Sequence, residues 1–206
     1  SVTLTYLGKG KYLPTNFTGS VLIKSTIISS DITKIFRNAT PFTATILDNK
    51  GNIVRNTTVS ININGVFYYK VTDNNGVVRL NLNLAQGTYI LTTNNPLTGE
   101  NAANTVTIIP SIVENYNLTK YYKNDSKYSV KILGDDGTPL ANAEVTFNIN
   151  GVFYKRTTDA DGYASLSINL SPKQYIITAE YNGCRASNVI EVLSVLESSN
   201  LSMKYH

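Results

Sequence analysis

The sequence predicts an all-β chain built from successive β-sandwich modules. Two observations carry that prediction: a long internal repeat, and strict apolar–polar alternation within short runs. A third supports them, since Asn-Gly dipeptides fall between alternating runs, where a tight hairpin turn belongs.

The repeat comes first because it sets the organisation. Thr33-Lys34 returns 86 residues later as Thr119-Lys120. Asn62-Ile-Asn-Gly-Val-Phe-Tyr68 returns as Asn148-Ile-Asn-Gly-Val-Phe-Tyr154, and Thr72-Asp73 and Gly76 return as Thr158-Asp159 and Gly162. Leu80, Asn83, Leu84 and Tyr89-Ile90 reappear as Leu166, Asn169, Leu170 and Tyr175-Ile176. The match runs without a gap from Asp31 past Thr92. Asn200-Leu-Ser202 resembles Asn117-Leu-Thr119, the start of a further copy. Val2–Tyr6 resembles Ile176–Tyr181, and Val21–Ile23 resembles Val189–Val192, the tail of an earlier copy. The expected organisation is therefore residues 1–30 as closing strands of a preceding module, modules at 31–116 and 117–199, and the start of another at 200–206. The absence of an initial Met or a signal peptide fits an internal fragment of a longer protein.

Each element has its own signal. Val59-Ser-Ile-Asn-Ile63 and Leu80-Asn-Leu-Asn-Leu84 alternate, as do Val145-Thr-Phe-Asn-Ile149 and Leu166-Ser-Ile-Asn-Leu170. Period 2 marks strands with one buried face. Asn64-Gly65 and Asn150-Gly151 suit type I′ turns, in which both central residues take positive φ. Asp73–Gly76, Asp159–Gly162, Asp48–Gly51 and Asp135–Gly137 read as further turns. No window shows a helical apolar stripe. A two-residue turn at Asn64-Gly65 sets Ile63 opposite Val66 and Ile61 opposite Tyr68, which with Val59 form the expected core face. Ser60, Asn62, Phe67 and Tyr69 then face outward. In the second copy the inner set is Val145, Phe147, Ile149, Val152 and Tyr154, and the outer set is Thr146, Asn148, Phe153 and Lys155.

The run from Gly137 through Leu140, Asn142, Val145 and Phe147 to Ile149-Asn-Gly-Val-Phe-Tyr154, then Thr158-Asp159 and Gly162, then Tyr175-Ile-Ile-Thr178, carries a resemblance. It resembles the tandem immunoglobulin-like repeats of large adhesin-like surface proteins of methanogenic archaea. More distantly it is similar to bacterial invasin–intimin-type modules and to the carboxypeptidase regulatory-like sandwich. Gly8-x-Gly10-x-Tyr12-x-Pro14-Thr-Asn16 resembles the closing hairpin of another repeat type in such proteins. The resemblance implies tandem immunoglobulin-like sandwiches in an extracellular, cell-surface protein, serving as a stalk that supports cell adhesion. The alternative is a module that itself grips a glycan or surface protein of another cell. The resemblance supplies no catalytic residues, and the partners it implies are the neighbouring modules of the same chain.

Composition narrows the function classes. Hydrophobic residues make up 42% of the 206, enough to fill cores, and charged residues only 16%, so polarity rests on Asn, Ser and Thr. The net charge of +4 is scattered over isolated lysines and pairs such as Lys155-Arg156, unlike the concentrated stripe of a nucleic-acid binder. No apolar run is long enough to cross a membrane as a helix. Cys184 is the single cysteine and His206 the single histidine, which leaves no disulfide pair and no thiolate metal cluster, and a lone thiol reads as surface or half-buried. No Ser/His/Asp set, phosphate loop or metal-ligand spacing is present, so neither an enzyme nor a cofactor is expected.

Four sets of candidate residues remain. Asp135-Asp136 and Asp159-Ala-Asp161 hold enough oxygens for weak Ca²⁺ binding, but such Asp residues also cap their own turns. Lys34 and Lys120 lie at module starts and Asn104 and Asn188 on last strands, the arrangement of a Lys–Asn isopeptide crosslink, which requires a desolvated lysine beside a protonated carboxyl. Seven Asn-x-Ser/Thr triplets, at Asn16, Asn38, Asn56, Asn117, Asn124, Asn169 and Asn200, are N-glycan acceptor motifs, of which Asn38, Asn56 and Asn124 are the candidates, although so many Asn, Ser and Thr produce such triplets by chance. Phe67 and Phe153, outward beside Asn, are the candidate binding residues.

Overall fold

The computed structural model describes residues 1–20 and 22–196. The expected start of a further copy at 200–206 and the last residues of the 117–199 module lie outside the described residues. Among the described residues every regular element is a strand. They are β1 (Val2–Tyr6), β2 (Thr15–Gly19), β3 (Ile27–Ser29), β4 (Ile32–Ile35), β5 (Phe42–Ile46) and β6 (Thr58–Ile63). Then come β7 (Val66–Val71), β8 (Val77–Leu80), β9 (Gly87–Asn94), β10 (Asn101–Ile109), β11 (Ile112–Val113) and β12 (Leu118–Tyr121). The last six are β13 (Lys127–Ile132), β14 (Glu144–Ile149), β15 (Val152–Thr157), β16 (Tyr163–Ser167), β17 (Lys173–Tyr181) and β18 (Cys184–Leu193).

Sheet pairing repeats. The first sandwich pairs a three-stranded sheet, β3-β5-β8, with a five-stranded one, β4-β10-β9-β6-β7. The second repeats it as β11-β13-β16 and β12-β18-β17-β14-β15. The chain is thus all-β, with tandem immunoglobulin-like sandwiches. In each, one short strand pairs parallel with the last strand: β4 with β10 and β12 with β18. Compactness divides the chain differently, into Ser1–Ser30, Thr43–Arg79 and Leu91–Asn104 as one unit and Asp31–Phe42, Leu80–Ile90 and Thr105 onward as the other.

Alternation explains the cores. Val59, Ile61 and Ile63 of β6 are buried with Phe42, Ala44 and Ile46 of β5, while their neighbours face outward. In the second sandwich Tyr128 and Phe147 meet edge to face, ring centroids 5.8 Å apart and planes at 85°, an arrangement favoured by the ring quadrupoles. Cys184 is buried in that second core, a correction to the surface or half-buried thiol expected. It opens β18 on the core-facing phase of the strand.

The hairpin register is as the sequence indicates, with Ile63 opposite Val66, Ile61 opposite Tyr68 and Ile149 opposite Val152. The turn residues take the positive φ that type I′ demands: 51° at Asn64, 78° at Gly65, 54° at Asn150 and 75° at Gly151. The burial expected at the far strand is corrected. Val66 is 52% exposed and Tyr68 38%. β7 and β15 are the outermost strands of five-stranded sheets whose partner sheets have three, so their inner faces are only partly covered.

β1 and β2 form a separate two-stranded ribbon, with Leu4 opposite Phe17 and Thr3 opposite Thr18. Period 2 collects Val2, Leu4, Tyr6 and Phe17 on one face and Thr3, Thr5, Asn16 and Thr18 on the other. That apolar face is exposed.

Candidate interaction surface

The outer face of the five-stranded sheet carries the residues that point to contact. Asn62 pairs across the hairpin with Phe67, and Asn148 with Phe153. Asn62 and Asn148 also sit opposite Thr92 and Thr178 on the next strand inward. Phe67 is 59% exposed and Phe153 68%, as period 2 indicated. Ile90 and Ile176 are exposed beside them, an addition that sequence reasoning missed. The sequence leaves it open, because Ile90 and Leu91 are adjacent and both apolar; the structure buries Leu91, so Ile90 points the other way. In the second sandwich Thr146, Asn148, Phe153, Ile176 and Thr178 line an open cleft of about 520 Å³. An exposed Arg185–Glu180 ion pair, 2.8 Å, also lines it. The first sandwich keeps Asn62, Phe67, Ile90 and Thr92 at the same positions. Chemically the face offers amide and hydroxyl hydrogen bonding around an apolar ridge.

The candidate crosslink residues stand apart from one another. Lys34 lies opposite Ile108 on β10, and Lys120 opposite Val192 on β18. Each lysine is thus four residues along the strand from Asn104 or Asn188, roughly 13 Å at the usual rise per residue. Both ammonium groups are buried and bound to backbone carbonyls. Lys34 Nζ donates to Thr40 O at 3.0 Å and Leu82 O at 3.2 Å. Lys120 Nζ donates to the matching carbonyls of Ser126 at 3.0 Å and Ile168 at 2.9 Å, and also to Asn124 O. Burial holds the Lys34 ammonium below the usual lysine range. Asn104 Oδ1 accepts from Ser29 Oγ at 2.7 Å, and Asn188 Oδ1 from Tyr128 Oη at 2.6 Å.

The acidic turns use their carboxylates locally. Asp159 Oδ1 accepts from the backbone N–H of Asp161 at 3.0 Å and Tyr163 at 2.9 Å, and Asp136 Oδ1 accepts from Thr138 N at 2.9 Å. Among the described residues no three His, Cys, Asp or Glu side chains gather as a metal-binding group. Of the possible glycan acceptors, Asn56 and Asn124 are exposed and Asn38 is half-buried. Asn38 and Asn124 fold back into the same turn, their Oδ1 accepting from Thr40 N at 2.7 Å and Ser126 N at 2.8 Å.

Neither a protein-family model nor a curated protein sequence matches the chain. Solved structures similar to it are tandem immunoglobulin-like or fibronectin-III-like domains. The I9–I11 tandem of titin is 15% identical, with a TM-score of 0.39 over 81% of this chain and 64% of that one. Invasin, a bacterial integrin-binding protein, is 18% identical, with a TM-score of 0.34 over 81% of this chain and 38% of that one. A Ca²⁺-stabilised adhesin with which an Antarctic bacterium binds ice is 15% identical, with a TM-score of 0.30 over 96% of this chain and 57% of that one.

Proposed function

We propose that the chain is a spacer segment of an extracellular, adhesin-like surface protein, in which immunoglobulin-like modules follow one another in tandem and support adhesion mechanically. The observation that carries the reading is the recurrence of one sandwich, strand for strand, with only Pro110-Ser111 between the last strand of the first and the first strand of the second. A two-residue connection leaves little free linker. The 1–20 ribbon supports the same reading, because its exposed apolar face matches what the closing strands of a preceding sandwich would bury. In this proposal the expected limits of 31–116 and 117–199 move to the strands themselves, β3 to β10 for the first module and β11 to β18 for the second, with the joint at Pro110-Ser111.

Small-angle scattering of the whole chain tests it. A spacer gives an elongated particle that lengthens by roughly 40 Å for each complete sandwich. A particle no longer than a single compact globule of this mass would refute the spacer role.

A further inference from the structure

We propose that β7 is a self-pairing edge, through which two copies of this chain join their first sandwiches into one continuous antiparallel sheet. Among the described residues β7 is the border of its sheet, bonded only to β6. It is six residues long and contains no proline, and its pairing with β6 is unbroken by a bulge. Val66, Phe67, Tyr68, Tyr69 and Val71 are all exposed, Tyr69 to 68%. Lys70 is its single charge. An unprotected apolar border of this kind is a template for another strand.

The hairpin fixes which backbone groups are available. Thr72 N donates to Thr57 O, which puts Thr72, and by period 2 Lys70, Tyr68 and Val66, on the phase bonded to β6. The N–H and C=O groups of Phe67, Tyr69 and Val71 therefore point away from the sheet. A two-fold axis perpendicular to the sheet and passing through Tyr69 uses all three. It sets Tyr69 opposite its own copy, Phe67 opposite Val71 and Tyr68 opposite Lys70. Every cross-strand pair is then aromatic, aliphatic or aromatic with cation, and no like charges meet.

The second sandwich supplies an internal comparison, because β15 has the same backbone and a different border. The residue matching Tyr69 is Lys155, so the same axis would set two lysines directly opposite, a destabilising pair. The outward carbonyl of Lys155 is also already taken, accepting from Arg156 Nη1 at 2.6 Å. β15 is thus closed to strand addition by a charge and a cap at Lys155, and β7 has neither at the matching Tyr69. The occupant fitted to β7 is a second copy because the strand complements itself in charge and in side-chain size.

Sedimentation velocity of the intact chain from about 5 to about 500 µM tests the pairing at the weak end of specific association. The expected result is a monomer–dimer equilibrium in that range. Tyr69→Lys combined with Thr58→Glu copies onto β7 the Lys155–Glu144 pair that the second hairpin already folds with, and it should raise the dissociation constant at least tenfold. Tyr69→Cys should form an intermolecular disulfide on mild oxidation, since paired Cα atoms across such an axis lie at about 5.5 Å. Lys70→Cys, which the axis sets opposite Tyr68 and two residues along the strand from its own copy, should do so at least tenfold more slowly, and Cys184 is buried and does not compete. A wild-type chain that stays monomeric throughout overturns the proposal, as does a dimer that survives the Tyr69→Lys/Thr58→Glu change or crosslinks equally at 70.

Discussion

At position 128 the second sandwich has a tyrosine where the first has Phe42, and the difference is answered by a second exchange nearby. Tyr128 is fully buried, and its hydroxyl donates to Asn188 Oδ1 at 2.6 Å. Burial pushes its pKa up to about 12, so the phenol remains a donor at every pH the fold tolerates. The first sandwich has no hydroxyl at Phe42; there Ser29 Oγ donates to Asn104 Oδ1, and the residue matching Ser29 in the second sandwich is Asn115. Two residues thus solve one problem in two ways: an amide oxygen at the sandwich rim needs a donor. Tyr128→Phe should destabilise the second sandwich by about 1–2 kcal/mol, the cost of leaving that acceptor unpaired. Adding Asn115→Ser, which rebuilds the arrangement of the first sandwich, should restore at least half of the loss in urea denaturation. A double variant no more stable than the single one would show that the two donors are not equivalent.

Strands were the legible part of this fold, because alternation and Asn-Gly turns are local, and the inner and outer phases of β6, β14 and their hairpin partners follow from them. Burial at β7 and β15 was not legible, since it depends on how many strands the opposing sheet has, which no window of sequence states. The outward phenylalanines were found by phase alone, whereas Lys34 and Asn104 were paired in expectation by their positions near module ends. The parallel register of β4 on β10 separates them, and registers between distant strands are set by tertiary packing. Glycines show the same division between local and tertiary causes. Gly151 needs only its positive φ, with open space around a would-be Cβ. Gly162 has φ of 81° as well, but a Cβ there would lie 2.9 Å from Ile132 O and 3.1 Å from Leu140 N. Gly151→Ala should therefore cost the left-handed penalty alone, roughly 1–2 kcal/mol. Gly162→Ala adds displacement of two backbone segments and should cost at least about 1 kcal/mol more in the same denaturation measurement. Equal losses at the two sites would mean that the Asp159–Gly162 turn moves freely away from Pro139 and Leu140.

Over the whole chain, charge is sparse, and it acts mainly through hydrogen bonds from neutral donors rather than through ion pairs. The salt bridges given by the described residues are Lys131–Glu114, Lys155–Glu144 and Arg185–Glu180, each with at least one exposed member, a kind that contributes little and is screened. The carboxylates behave differently. Glu100 is held below the usual carboxylate range by hydrogen bonds from Ser25 Oγ, Thr26 Oγ1 and Thr26 N, which tie the residues just before β3 to the β9–β10 turn. Asp73 is lowered by the backbone N–H of Val77 and then Asn75, Asp48 by Asn52, and Asp136 by Thr138. A carboxyl with a depressed folded pKa contributes stability that is complete above its unfolded pKa, near 4, and is lost as pH falls through the folded value. These groups occur in both sandwiches, so the melting temperature should hold steady from about pH 7 to pH 5 and fall between about pH 4 and pH 2. Raising NaCl from about 50 mM to about 1 M at pH 7 should move it little, because few attractive ion pairs are available to screen. Glu100→Gln should flatten the acid limb of the first sandwich and leave that of the second unchanged. A salt-driven loss at pH 7 as large as the acid-driven one would place the stability in ion pairs instead, and an unaltered acid limb in Glu100→Gln would remove the Ser25–Thr26 clasp from the account.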